Sequence, residues 1–280
     1  MIAPVRGLDL HLRHWPGERS GSCWVLHGWS DTAATWDRVV RHLPPDWPAY
    51  APDWRGFGHS SRNTDTYIFP DYLGDLDALL DLYSPEPIDL IGHSMGGQIA
   101  ALYAGLRPER VRRLVILDAL FLPLSPPSKA PQRLREWLDD LRKQPSDKIY
   151  DSLEDFAQRV AKYHAGLDAA GAMEVASAWS ESLADGRVRL LADPRHRQRG
   201  PLLYRDEEAL AIFGQIQAPT LILDAAQSNL KHMCPAEVRQ ARLDAIAKHQ
   251  HQVLDNCGHM LHFDAPERTA AAIQSFLSQD

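Results

Sequence analysis

A serine between two glycines is the first feature of this sequence that could do chemistry. Gly92, Ser94 and Gly96 complete a GxSxG pattern, which follows an apolar run at 88–91 and precedes a helical stretch at 98–106. Small residues beside a serine let the backbone make a tight strand-to-helix turn that exposes the hydroxyl. We therefore predict that Ser94 is a nucleophile, rather than a serine that happens to lie in a glycine-rich turn.

Two backbone N–H groups are predicted to hold the oxyanion that forms when a hydroxyl attacks a carbonyl. Met95 begins the helical stretch after Ser94, and the N-terminus of a helix offers free N–H groups and a partial positive charge. The loop that begins at His27 follows an apolar run at 23–26, so Trp29 is predicted to supply the second N–H. His27 itself is predicted to be structural and to transfer no proton.

A serine nucleophile needs a base, and the chain contains 13 histidines. His259 follows the last predicted strand, at 252–254, and so lies at the carboxyl edge of the sheet, where open α/β structures bind ligands. It also follows Ser94 in the chain, as the order nucleophile, acid, histidine requires. We predict His259 as the general base and interpret most of the other histidines as surface residues.

Two aspartates compete to be the acid that orients His259. Asp118 ends an apolar run at 114–117, and Asp224 ends another at 220–223. We predict Asp118, whose loop faces the same edge of the sheet, and we keep Asp224 as the runner-up because it stands early for a residue that must reach His259. The alternative for either carboxylate is to cap a nearby turn or helix.

Short apolar runs alternate with helical patterns along the first 120 residues. The runs at 23–26, 88–91 and 114–117 are apolar on both faces, as in buried parallel strands. Apolar residues at helical spacing occupy 32–43 and 72–83. This alternation predicts an α/β fold, with helices flanking a mostly parallel sheet.

The segment 121–213 interrupts this alternation and separates two parts of the predicted core, 1–120 and 214–280. It contains helical stretches but no clear strand. Because a structureless loop of this length is improbable, we predict that it is an inserted helical cap. The predicted helices are 132–141, 153–163 and 170–183 in the cap, with a strand at 220–223 and helices at 236–248 and 266–277 in the second part of the core.

The charge balance argues against several classes of partner. The chain has 30 basic and 37 acidic residues, a formal net charge of −7, and its basic residues are scattered. Proteins that bind nucleic acids or anionic membranes usually show a basic face, so neither partner is expected. The sequence does not indicate an oligomeric state.

The cysteines and histidines predict no metal site. Three cysteines form an odd set without CxxC spacing, which fits neither a disulfide framework nor a cysteine-based zinc site. The pairs His249/His251 and His259/His262 have suitable spacing, but no acidic or cysteine partners converge on them. With free thiols and no apolar run long enough to cross a membrane, a cytoplasmic protein is expected.

Six stretches of the sequence together resemble the α/β-hydrolase superfamily, and they span almost the whole chain. The resemblance implies the α/β-hydrolase fold with an inserted cap and no cofactor. The cap, at 182–197 and 203–210, most resembles the serine hydrolase-like proteins. The matching stretches are LHGWSDTAATW at 26–36, PDWRGFGHS at 52–60, IGHSMGG at 91–97, LVILDA at 114–119, APTLIL at 218–223 and CGHMLHFDAPE at 257–267.

Two departures from the superfamily bear on the chemistry. Dehalogenases and epoxide hydrolases have an aspartate at the position of Ser94, so their activities are not expected here. The usual position of the acid, three or four residues beyond the strand at 220–223, holds Gln227, and a neutral amide cannot stabilise an imidazolium as a carboxylate does. Haloalkane dehalogenases can draw their acid from the position that matches Asp118.

The expected function is that of a serine hydrolase acting on a small-molecule ester or related acyl substrate. Two alternatives remain open. The same residues serve hydrolytic C–C cleavage, amide hydrolysis and perhydrolysis. The other alternative is a non-enzymatic binding protein that kept the Ser94 turn but lost the acid, which would explain why Gln227 stands at the usual acid position.

Overall fold

The computed structural model describes residues 1–19, 21–164 and 166–279. The strands are β1 (Ile2–Val5), β2 (Leu8–Trp15), β3 (Cys23–Leu26), β4 (Ala49–Pro52), β5 (Ile88–His93), β6 (Val111–Leu117), β7 (Ile149–Tyr150), β8 (Ser180–Ser182), β9 (Val188–Leu190), β10 (Thr220–Ala225) and β11 (His249–Leu254). Eight of them form a central sheet with the strand order β1-β2-β4-β3-β5-β6-β10-β11.

In this strand order, every neighbouring pair from β4 to β11 is parallel. The pairs β1 with β2 and β2 with β4 are antiparallel. The predicted α/β class with a mostly parallel sheet is therefore confirmed. The sequence patterns did not predict β1 and β2. Their side chains alternate between buried and exposed, so neither strand forms the continuous apolar run that marks the central strands.

Helices cover both faces of the sheet. The helices are α1 (Asp37–Val40), α2 (Phe69–Tyr83), α3 (Met95–Leu106), α4 (Ala130–Asp140), α5 (Leu153–Tyr163), α6 (Ala169–Trp179), α7 (Asp206–Phe213), α8 (Ala236–Asp244), α9 (Leu261–Asp264) and α10 (Pro266–Leu277). One apolar cluster packs α2, α3 and α7 on one face, and a second packs α1 and α10 on the other.

Two predicted helices in the core are shorter than expected. The helical spacing at 32–43 corresponds to a 3₁₀ turn at Ala33–Trp36 followed by the single turn of α1. The helix predicted at 236–248 ends at Asp244, and the last strand begins at His249 rather than at 252. That strand is the sheet edge and most of its residues are exposed, so a polar sequence forms it and the apolar signal is weak.

The segment 121–213 contains α4 to α7 and a small antiparallel sheet with the order β7-β9-β8. The expectation of no strand in this segment was wrong. Each of these strands is two or three residues long, which is too short to show an alternating pattern. The helix predicted at 170–183 ends at Trp179, where β8 begins.

Most of this segment packs on itself, whereas its last helix packs on the core. The apolar side chains of α5 and α6 form a separate cluster that also contains Phe263 of α9. In α7, Ala209 and Phe213 belong to the core cluster. The boundaries of the cap at 121 and 213 stay a prediction.

No helix in the described part of the chain combines the length and the apolar composition needed to cross a bilayer.

Gly96 allows α3 to begin against the end of β3. A Cβ atom at this position would lie 2.3 Å from the carbonyl oxygen of Leu26 and 2.7 Å from that of His27. Backbone atoms cannot move aside as a flexible side chain can. The approach of helix to strand therefore depends on the absence of a side chain.

We predict that Gly96→Ala lowers the free energy of unfolding by about 1–3 kcal/mol, since overpacking outweighs the helix propensity that alanine adds. Gly214→Ala is the control, because a Cβ there would meet its nearest neighbours at 3.6 Å. Urea unfolding of both variants measures the effect. Equal stability of the two variants would contradict this account of the turn.

Candidate active site

Ser94 stands alone between β5, which ends at His93, and α3, which begins at Met95. Its backbone has φ 53° and ψ −116°, a conformation that a non-glycine residue adopts only when its surroundings enforce it. The glycines of the pattern provide those surroundings, since a Cβ on Gly92 would lie 2.2 Å from the carbonyl oxygen of Gly96. The turn that the GxSxG pattern predicted is therefore present.

The ring of His259 lies between the serine and a carboxylate. Its Nε2 is 3.0 Å from the Oγ of Ser94, and its Nδ1 is 2.7 Å from Oδ2 of Asp118. Nδ1–H can donate to the carboxylate while Nε2 accepts from the serine hydroxyl. The structure thus brings together three residues that the sequence singled out separately.

Asp118 is completely buried directly after β6. Its Oδ1 accepts a hydrogen bond of 2.9 Å from the Ala225 N–H, and its Oδ2 accepts one of 2.5 Å from the Ser228 hydroxyl. The sequence analysis did not find these two donors, which lie at the end of β10, the neighbouring strand, and in the loop after it. These hydrogen bonds replace the water that the carboxylate loses on burial, and a buried polar group without partners would cost free energy.

Asp224, the runner-up acid, is bound elsewhere. Both of its carboxylate oxygens accept hydrogen bonds from Arg239 of α8, at 2.8 and 3.0 Å, and Oδ2 lies 2.9 Å from Nε2 of His251. Side chains alternate along a strand. Asp224 therefore shares the sheet face of Ile222, which packs in the same cluster as α8, and points away from the loop of His259. Gln227 is exposed.

The two predicted oxyanion donors stand beside Ser94. A Cβ on Gly28 would lie 3.1 Å from the Cβ of Ser94, so the loop that holds Trp29 passes directly against the serine. Among the described residues, the Trp29 N–H makes no backbone hydrogen bond. Met95 is the first residue of α3, so its N–H has no acceptor within the helix.

His27 fixes the loop that holds Trp29. Its Nδ1–H donates to the carbonyl oxygen of Gly28 at 2.7 Å, and its Nε2 accepts from the Trp54 N–H at 3.0 Å. Burial lowers the pKa of His27, so the imidazole is neutral. These bonds give His27 a structural position.

Comparison with known proteins identifies the family. The sequence model of a protein family, the alpha/beta hydrolase fold, matches residues 25–266. The chain belongs to the alpha/beta hydrolase family. A serine hydrolase-like protein of Danio rerio is 26% identical over 98% of this chain and 86% of its own length. Lipase LipV of Mycobacterium tuberculosis is 30% identical over 96% of this chain and 98% of its own length.

A solved structure agrees with this assignment of the fold. The thioesterase domain from the curacin biosynthetic pathway superimposes with a TM-score of 0.86 at 24% identity, and the match covers 98% of both chains. At this identity the likeness concerns the fold alone.

A cavity of about 460 Å³ in this alpha/beta hydrolase is lined in part by Trp29 and Met95. Most of its other walls come from α2, α4 and α7 and from the stretch at 195–205, with further residues from 66–68, α3 and Leu122. Most of the lining side chains are apolar, among them Phe69, Leu73, Leu102, Trp137, Leu141 and Ile212. Its volume falls in the range of pockets for small organic ligands.

A second buried group of polar residues supports the loop of His259 from behind. His93 donates from Nε2–H to the backbone oxygen of His259 at 2.8 Å, and burial holds the pKa of His93 well below its usual value. The ring of His93 also packs at 4.3 Å against that of His262, whose Nε2 lies 3.2 Å from Oδ2 of Asp31. The indole N–H of Trp179, at the end of α6, donates to Oδ1 of Asp31 at 2.7 Å.

This arrangement corrects the expectation that no acidic residue converges on His262. Asp31, His93 and His262 each offer a ligand atom within 4.8 Å of the others, which is the residue chemistry of a zinc site. The carboxylate of Asp31 already accepts from Trp179, from the Thr32 N–H at 2.8 Å and from the Thr35 hydroxyl at 3.0 Å. These bonds account for the burial of Asp31 without a metal ion.

The Asp31 group makes stability depend on pH. Burial raises the pKa of Asp31, but the hydrogen bond and charge of His262 and the Trp179 N–H together hold it below its usual value. A carboxyl group whose folded-state pKa is lowered stabilises the fold at pH values above its unfolded-state pKa, which is about 4 for an aspartate. That contribution is lost as the pH falls through the folded-state pKa.

We predict that Asp31→Asn lowers the free energy of unfolding by about 1–3 kcal/mol at about pH 6–7, and that the difference from wild type shrinks below about pH 4. Thermal unfolding over a range from acid to neutral pH measures it. The exposed Asp46, changed to Asn, is the control and should match wild type throughout. A difference that stays constant or grows in acid would show that the Asp31 charge is not the cause.

Proposed function

We propose that this protein is a serine hydrolase that cleaves esters or related acyl substrates through an acyl-enzyme on Ser94. The observation that supports this most directly is the His259 ring, hydrogen-bonded on one side to Ser94 and on the other to a buried carboxylate. An imidazole in this setting can take a proton from the serine hydroxyl and return it to a leaving group.

In the proposed reaction, Oγ of Ser94 attacks the substrate carbonyl as Nε2 of His259 accepts the hydroxyl proton. The tetrahedral intermediate collapses when His259 returns that proton to the alcohol oxygen, which leaves the acyl group on Ser94. A water molecule then gives a proton to His259 and attacks the acyl carbon. His259 returns this proton to Oγ of Ser94 as the bond to the acyl carbon breaks, which releases the acid and restores the serine hydroxyl.

Asp118 acts through His259. Its carboxylate keeps the proton of the neutral ring on Nδ1, so that Nε2 is free to accept, and it stabilises the imidazolium while it exists. The N–H groups of Trp29 and Met95 hold the negative oxygen of the intermediate. Each such donor is typically worth about 3 kcal/mol of the barrier.

The hypothesis of a binding protein with a degenerate site rested on Gln227. Asp118, which follows β6 and not β10, supplies a carboxylate to His259. The presence of this acid favours an enzyme. The relatives named serine hydrolase-like protein and lipase favour ester hydrolysis over C–C cleavage, amide hydrolysis or perhydrolysis on the same residues.

We also propose a cap domain and a cell compartment for this protein. The segment 121–213 serves as the cap, because α4 and the stretch at 195–205 form much of the cavity wall beside Trp29 and Met95. A reducing, cytoplasmic setting accords with the free, buried thiols of Cys23, Cys234 and Cys257.

Ser94→Ala should abolish ester hydrolysis, a loss of about 10⁴-fold to 10⁶-fold in kcat, while the melting temperature stays close to wild type. Alanine keeps the Cβ of serine and removes only the nucleophile. Turnover of p-nitrophenyl esters and labelling by a fluorophosphonate probe are the measurements. Ser182→Ala, at an exposed serine of β8, is the control and should react as wild type does. Near-wild-type turnover by Ser94→Ala would end the proposal.

Asp118→Asn should lower kcat by about four orders of magnitude, because an amide offers neither the charge nor the right tautomer to His259. Asp224→Asn should instead lower stability by about 3 kcal/mol or more, since it leaves Arg239 buried without its partner, and should keep kcat within a few fold. Steady-state kinetics and urea unfolding of both variants separate the two effects. A large loss of kcat in Asp224→Asn alone would return the acid to β10.

A further inference from the structure

The charges that line the cavity differ from those of the whole chain. Four arginines and two acidic residues line it, although the chain has a formal net charge of −7. His196 adds no charge, because burial lowers its pKa to about 4. In a concave, largely apolar site an unpaired charge acts strongly on a ligand, since the low-dielectric walls focus its field.

Arg133 differs from the other arginines of the cavity. Among the described residues it has no carboxylate within 4.0 Å, whereas each of the other three has at least one. Arg195 pairs with Asp193 at 3.2 Å, Arg199 with Glu136 at 3.0 Å and with Asp140 at 3.4 Å, and Arg205 with Glu207 at 4.0 Å. The guanidinium of Arg133 is therefore the arginine charge that no acidic side chain of the described chain neutralises.

Helix α4 presents Arg133 to the cavity beside an apolar wall. Arg133, Trp137 and Leu141 all line the cavity, at spacings of four residues that place them on one side of the helix and its last turn. Trp29 and Met95, next to Ser94, line the same cavity. One continuous space thus extends from Trp29 and Met95, the residues beside the nucleophile, along an apolar surface to an unpaired cation.

We propose that the substrates are esters whose apolar acyl chain ends in an anionic group, a carboxylate or a phosphate, and that Arg133 binds this group. The inference rests on the proposed serine hydrolase function and specifies its substrate class. A guanidinium binds either anion through two parallel N–H bonds. The apolar chain between the ester and the anion would lie along Trp137 and Leu141.

Glu208 is the opposing charge in this cavity, and it makes a matched control. It lines the cavity from α7 and is exposed, and among the described residues it has no basic partner within 4.0 Å. If Glu208 rather than Arg133 selected the chain end, the enzyme would prefer a cationic chain. The two residues therefore predict opposite specificities.

The test compares p-nitrophenyl esters of equal acyl length whose chains end in a methyl, a carboxylate, a phosphate or an amino group. Wild type should hydrolyse an anionic ester with a kcat/KM about 10-fold to 100-fold above that of the methyl-ended ester, the range of a charge-assisted hydrogen bond. The carboxylate and phosphate series show which anion is bound better.

Arg133→Gln should lose the preference for the anionic ester over the methyl-ended ester, because a neutral amide cannot form charge-assisted hydrogen bonds with the anion. Arg133→Lys should keep part of the preference, and Glu208→Gln should keep all of it. Thermal unfolding of each variant verifies that the fold is unchanged.

Three outcomes would overturn the inference. Equal kcat/KM for the methyl-ended and anionic esters would do so, as would a preference for anions that survives in Arg133→Gln, or a preference for the amino-ended ester that disappears in Glu208→Gln. In each of these cases a fluorophosphonate probe still labels Ser94, and the serine hydrolase proposal stands. If wild type neither reacts with the probe nor hydrolyses any of the esters, the proposed function fails and the inference fails with it.

Discussion

Two hydrogen bonds on the ring of His259 join three segments that are far apart in the sequence. Ser94, Asp118 and His259 follow β5, β6 and β11, and the first two of these strands are neighbours in the sheet. Parallel strands end at one edge, so side chains just beyond their ends meet there. The fold serves this arrangement: buried strands fix the edge, and short loops beyond them set the distances.

The carboxylate side of this arrangement depends on β10. That strand lies between β6 and β11, and its end and the loop after it donate to Asp118 from the Ala225 N–H and the Ser228 hydroxyl. A buried carboxylate that approaches His259 from β6 needs such support, because a buried polar group without hydrogen-bond partners costs free energy. In this chain the end of β10 and its loop supply donors to the acid, and Gln227, in that same loop, is exposed.

The histidine side is supported by a second buried network. The Nε2–H of His93 holds the backbone oxygen of His259, and the pair of His262 and Asp31 packs behind His93. Trp179 of α6 donates to the same Asp31. The last helix turn of α6, in the predicted cap, is thereby connected to the loop of His259 through hydrogen bonds and the ring contact between His262 and His93.

The sequence predicts those parts of this arrangement that local patterns specify. The GxSxG turn and the central strands have strong local signals, and the end of an apolar run places Asp118 at the correct edge. The partner of His262 could not be predicted, since Asp31 is 231 residues away. The pairing of Asp224 with Arg239 was missed, although alternation along β10 indicates its face. The short strands at 149–150, 180–182 and 188–190 lack the length that periodicity requires.

A crystal structure of the protein after reaction with a p-nitrophenyl alkylphosphonate would show directly which residue is the nucleophile and where the oxyanion binds. We expect a covalent bond from phosphorus to Oγ of Ser94, with the phosphoryl oxygen about 2.7–3.1 Å from the N–H groups of Trp29 and Met95 and His259 still bonded to Asp118. An adduct on another residue would contradict this expectation, as would an adduct on Ser94 whose phosphoryl oxygen points away from both N–H groups.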